Sequence, residues 1–461
     1  MTKDLSQVDP NWAWTAYEPS VDRPWSRRLA AHHYRRAGFA ANLAELEQSV
    51  ARGPVDAVEQ LCNPGPLPAQ FQATSAMLAQ RTVAAGNVQQ LAAWWLYRML
   101  NTPDPLLEKL TLFWHGHFAT SAVKVDKAQM MLDQNEMLRQ HARGKFQDVV
   151  RAVSRDPAML IYLDSTTNRR IHPNENYARE LMELFTLGVG NYTEKDVKEV
   201  ARAFTGWEVL ADEFVFNNVQ HDTGVKSILG RSGNFDGDDA VRILLDHPAA
   251  SRFIARKLIR FFIFDEPTAP DSLVEPIARD LSEHEFGIGR VVRRVLGSNL
   301  FFSDHAIGRK VRSPVELGVG LLRALGGTTN LVKLAQGLGE LGQSLFHPPN
   351  VKGWEGGRTW INSSTLLGRA NLVGQLLLAP ETRYGTSADD TLEAMADRAG
   401  ATTPLKTVDW LLELLVAVPV PPAAREVLVK LAGDQNDNTD RSRRIADVIH
   451  AVSALPEFQL A

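Results

Sequence analysis

Apolar positions recur every three to four residues along most of this chain, and helices are the expected outcome. Leu91, Trp94, Trp95, Tyr97 and Leu100 give residues 71–101 one buried face. Similar stripes predict helices over 105–114, 127–139, 145–154 and 176–187, and again over 196–204 and 236–245. Further helices are expected over 247–264, 271–283, 288–297, 314–325, 331–341 and 365–378, with three more in the tail after residue 408. Thr193 with Asp196 three residues on is a partial capping box, because the full motif places Glu or Gln at the second position. Only residues 209–232 alternate as strands do, with Phe214 and Phe216 on one face. The tail loop 432–440, AGDQNDNTD, is polar and expected to be exposed.

The pattern therefore predicts an all-α class: a large, multi-helical, single-body fold with one small β-hairpin excursion. Residues 1–24 read as an N-terminal arm pinned by Trp12 and Trp14, residues 25–378 as the main body, and residues 379–461 as a helical extension packed on it.

Composition narrows the class. The 461 residues are 44% hydrophobic and 23% charged, with net charge -4, which suits a water-soluble globular protein and gives no case for nucleic acid as partner. Cys62 is the single cysteine, so an internal disulfide framework is excluded. No stretch has the length of a membrane span, and the first twenty residues lack the apolar core of a signal peptide. The expected location is cytoplasmic as the chain is given, or periplasmic or extracellular if a leader has been removed.

Three polar patches interrupt the helical pattern. The first is Phe113-Trp114-His115-Gly116-His117-Phe118. If the chain is extended here, His115 and His117 can converge, and Gly116 lets the backbone bend. With His172 and a carboxylate from Glu175 or Glu180 they would complete a divalent-metal site for zinc, iron or manganese. The second patch, residues 171–190, holds His172, Glu175, Arg179 and Glu180. Glu175, Glu180 and Glu136 also suit general acid and base roles, with His172 beside them. Arg179 and Arg139 would then hold an anionic group, or else neutralise the carboxylates. Trp207 closes the segment. The third patch runs from His347 and Asn350 to Trp354 and Trp360, a stiff, glycine-rich loop whose tryptophans either stack on a sugar ring or pack as a lid. Dinucleotide, phosphate-loop and GxSxG patterns are absent from the sequence.

These segments resemble the DUF1800 family. The likeness rests on RRLAAHHYRRAGF (27–39), KLTLFWHGHFATS (109–121), QNEMLRQHARGKF (134–146), residues 172–207 and 345–372, and the closing LPEFQ (455–459). The resemblance implies an α-helical fold. It also implies an extracytoplasmic setting beside a sulfatase-like DUF1501 partner protein, with a carbohydrate or anionic substrate. Relatives carry Asn where this chain has Gly116. The expected function is a hydrolase-like activity, metal-assisted or not, on a glycan or a sulfated or phosphorylated polymer. The alternative is a non-catalytic glycan-binding or accessory role.

Overall fold

The computed structural model describes residues 4–385, 390–433 and 440–461. The tail loop expected at 432–440 lies largely outside them. Helices dominate, and those that shape the cleft described below are introduced in chain order. They begin with α1 (Arg27–Gly38), α2 (Val88–Asn101), α3 (Pro105–His117) and α4 (Ala128–His141). Next is α5 (Asn176–Glu180), which runs on without a break into a π-helical turn, Leu181–Thr186. Then come α6 (Pro248–Phe262) and α7 (Pro314–Ala324).

Local chemistry sets these boundaries. Asp104 accepts from the Leu107 amide while Pro105 occupies the first turn of α3, where no amide donor is needed. Ser313 and Glu316 form a reciprocal capping box at the start of α7. The partial box at Thr193 and Asp196 also closes with both bonds, since Asp reaches the cap amide as Glu would.

The expected single hairpin is two. β1 (Trp207–Leu210) pairs antiparallel with β2 (Glu213–Phe216), and β3 (Lys226–Ile228) with β4 (Arg231–Gly233). The second pair has three residues per strand, too few for alternation to show in the sequence.

Two apolar clusters fill the interior. One joins the N-terminal arm to the middle of the chain, from Trp14 through Trp114 and Phe185 to Phe302. The other joins α1 and α2 to the C-terminal helices, from Ala30 through Trp95 and Val319 to Phe458. α3 lies between them and contributes to both, through Trp114 and Leu112 respectively. Trp14 anchors the arm by donating to the Leu273 carbonyl, 3.0 Å away, whereas Trp12 stays exposed. Among the described residues no helix is long and apolar enough to cross a membrane.

Candidate functional site

α3 continues through His117, three residues beyond the expected end, and the Phe118 amide still reaches the Trp114 carbonyl at 2.8 Å. That corrects the expected geometry of the two histidines, because residues two apart on a helix do not share a face. The His115 ring packs edge-on against Trp95, 5.2 Å between centroids, and its Nε2 accepts from the Phe346 amide at 3.1 Å. The His117 Nε2 donates to the Phe185 carbonyl at 3.0 Å, on another side of the helix. Both rings are buried, and burial holds both neutral: His115 is pushed down to about 3, and His117 well below its usual range. His172 sits apart, exposed in a bridge with Arg169. The fold therefore does not gather His115, His117 and His172. Among the described residues no group of three or more His, Cys, Asp or Glu side chains is placed to hold a metal ion.

The other candidates are mostly held by protein groups. Glu175 meets Arg179 at 3.1 Å, and Arg179 meets Glu194 at 2.7 Å. Glu136 meets Arg139 at 2.9 Å. Arg139 is buried, and with Arg98 it clamps the buried Glu108, which also accepts from the Trp95 indole at 2.8 Å. Trp207 is buried under the Arg155 guanidinium and edge-on to Phe214. Asn350 accepts from the Lys352 amide, and His347 Nδ1 donates to the Leu345 carbonyl, so both shape the third loop. Glu180 differs. It is half-buried, and burial and then Glu183 raise its carboxyl, against Lys352 and Arg179.

Trp354 and Trp360 do line a cleft, with a volume of about 550 Å³. One wall is the last turn of α3, with Phe113, Gly116 and His117. A second is the end of α6, with Lys257, Arg260 and Phe261. The floor is the stretch leading into α7, with Lys310, Ser313 and Glu316. Residues 352–360 form the rim. The rim closes onto α3 because position 353 is glycine: its φ is +73°, and a Cβ there would stand 2.1 Å from the Gly116 carbonyl oxygen. Arg260 fastens the same rim by donating to the Glu355 carbonyl at 2.8 Å.

The floor is rich in positive charge. Glu316 holds the Lys109 ammonium, and Asp265 holds Lys310 at 2.7 Å. Behind these two carboxylates lie Arg36, Arg312 and Arg369, all buried. Among the described residues their hydrogen bonds run to backbone carbonyls and one side-chain amide: Arg36 to Ile263 and Ala306, Arg312 to Leu460 and Leu415, Arg369 to Arg312 and Gln459. Burial lowers all three guanidinium groups to about 10. Burial alone would raise Glu316, but Lys109 and Lys310 overcome it and bring the carboxyl down to about 2. Five cations thus face two carboxylates: Lys109, Lys310, Arg36, Arg312 and Arg369 against Glu316 and Asp265.

Lys257 and Arg260 add charge at the wall. The Lys257 ammonium reaches the Leu184 carbonyl at 3.4 Å and makes no ion pair among the described residues. Burial and then Arg260 lower it to about 8. The π-helical turn after α5 supplies its acceptor. The amides of Leu187 and Gly188 both turn back to Met182, and the Leu184 and Phe185 carbonyls go to Lys257 and His117. Sequence reading missed Lys257, Arg260, Lys310 and Glu316. The one available signal was a charge inside an apolar run, as with Glu316 in PVELGVGLL and Lys109 in EKLTLFW.

A family model described as "Protein of unknown function (DUF1800)" matches residues 32–460. No curated protein and no solved structure matches the chain.

Proposed function

Because the chain belongs to the DUF1800 family, whose description assigns no activity, we propose a function from the cleft itself: it binds an anionic carbohydrate, a sulfated or phosphorylated saccharide. The observation that carries this reading is an excess of cations at the cleft: its lining sets Lys257, Arg260, Lys310 and Lys352 against Asp265, Glu316 and Glu355, and Lys109, Arg36, Arg312 and Arg369 are buried behind it. In a partly desolvated cleft that excess is screened less than on an open surface, and an anionic ligand would complete the charge balance. Arg260 and Lys352 stand at the mouth, where a guanidinium matches a sulfate or phosphate in two-point fashion. Trp354 is half-buried and presents part of its ring to the cleft, which suits stacking on a sugar face.

Tryptophan fluorescence during titration with a sulfated heparin-type oligosaccharide tests this. Saturable quenching is expected, weakening as salt rises. Lys352→Ala removes an exposed charge and should weaken binding about 5-fold, roughly 1 kcal/mol. Unchanged affinity in Lys352→Ala and in Arg260→Ala would place any binding elsewhere.

A hydrolytic reading is favoured by Glu180, which stands outside the cleft lining but close enough to feel the charge of Lys352. Its carboxyl, raised by burial and then by Glu183, suits a general acid beside the rim. Glu180→Gln should then abolish release of reducing ends from the bound oligosaccharide while leaving its affinity within about 3-fold.

A further inference from the structure

Lys257 and His117 stand side by side. Their acceptors are consecutive carbonyls, Leu184 for Lys257 and Phe185 for His117. Both face the Phe253 ring: the Lys257 ammonium lies 4.9 Å from its centroid, and the His117 centroid 6.2 Å away. Both line the cleft. With Nε2 donating to Phe185, the His117 Nδ1 carries the lone pair, and that atom is buried without a hydrogen-bond partner among the described residues. A buried acceptor without a partner costs free energy unless something fills the role.

We propose that Lys257 is a nucleophilic amine that condenses with the carbonyl carbon of an aldehyde or ketone ligand in the cleft, with His117 Nδ1 accepting a hydrogen bond from the adduct. The inference rests on the reading that this cleft admits a ligand, and the open-chain form of an anionic sugar is a carbonyl compound of the required class. The Nζ lone pair forms the C–N bond as the carbonyl π electrons move to oxygen. Nitrogen then loses its two protons to that oxygen, which departs as water and leaves an imine. Nothing is oxidised or reduced. In this proposal the unpartnered Nδ1 lone pair receives the carbinolamine hydroxyl and orients it for departure.

Three features of the surroundings support an amine that is free to react. Arg260, one turn along α6, opposes the ammonium charge, and burial does so more strongly. From α3 the facing group is a neutral imidazole, and from the π-helical turn it is a carbonyl. No carboxylate clamps the nitrogen among the described residues, unlike Lys310 on Asp265 or Lys109 on Glu316. Such a lysine is the type that forms Schiff bases.

The test uses the full chain, glycolaldehyde as a small neutral carbonyl probe, and cyanoborohydride to trap the imine. Peptide mass spectrometry reads each lysine. At pH 8 about half of Lys257 is unprotonated, given its value of about 8. Under one per cent of an ordinary lysine is unprotonated there. Lys257 should therefore be alkylated at least about 10-fold faster than the exposed Lys195, with half-maximal rate near pH 8. His117→Gln should slow the reaction while leaving that midpoint within about one unit. Lys257→Arg keeps the cation and should lose the adduct. Labelling of Lys257 no faster than of Lys195, or a rate still rising above pH 10, overturns the inference. Glycolaldehyde carries no charge, so its result is independent of anion binding. Binding without an adduct removes the amine chemistry alone, and an adduct without binding removes the anionic-glycan reading alone.

Discussion

Lowering the pH from 6.5 to 5 should remove several kcal/mol of folding stability. His32, His33, His115 and His117 are all buried, and all are held below their usual range chiefly by burial. His33 is 0% exposed, and neither ring nitrogen has a partner among the described residues. It is pushed down to about 3, as is His115. The unfolded chain takes up protons near pH 6.5 and the folded chain does not. The stability these groups contribute is complete above 6.5 and declines as the pH falls towards 3. At pH 5 each of the two accounts for a loss of about 2 kcal/mol. Their sum is a large share of an ordinary domain stability of about 5–15 kcal/mol. Thermal melts from pH 7.5 to 4.5 at fixed ionic strength should show a midpoint falling steeply below 6.5. His33→Leu should flatten that fall. A midpoint constant between pH 7 and 5 would contradict the burial argument.

Glu316→Gln should cost about 3–5 kcal/mol, the usual result of removing one partner from a buried pair. Lys109 is 0% exposed and Glu316 is its ion-pair partner, so the change leaves an ammonium in the interior. It also removes one of the two carboxylates set against the buried arginines. Glutamine keeps the shape and can still accept from the Ser313 amide, so the capping box alone would cost far less. Glu316 is depressed to about 2, so its own pH window lies lower than that of the histidines. Its contribution is present above about 4.5 and is lost as the pH falls through about 2. Urea unfolding at pH 7 measures the cost directly. A change below about 1 kcal/mol would mean that the floor tolerates its cations without this carboxylate.

How much of this was legible in the sequence differs from residue to residue. The spacing of Leu91, Trp94 and Trp95 marked a buried helix face, and all three side chains are buried. Trp354 and Trp360 were read as either ring-stacking or lid residues, and they line the cleft. Gly116 was read as a bend, because glycine usually weakens a helix. The helix continues through it, and Gly353 from the rim packs closely against it, a contact made across more than two hundred residues. The π-helical turn at 181–186 leaves no trace in apolar spacing, since it changes backbone bonding and leaves the residue types unchanged. Lys109 and Glu316 are 207 positions apart, and their ion pair exists only once the fold brings α3 and the start of α7 together. A charge inside an apolar run marks each of them but names no partner, so the floor of the cleft stayed hidden until the chain was folded.

Calorimetric titration with one oligosaccharide in two forms, fully sulfated and fully desulfated, tests the anionic-cleft reading most directly. The account predicts that the sulfated form binds at least about 100-fold more tightly, roughly 3 kcal/mol. The preference should shrink in Arg260→Ala and vanish progressively with salt. Equal affinity for the two forms, or a preference that Arg260→Ala and Lys352→Ala leave intact, would contradict it.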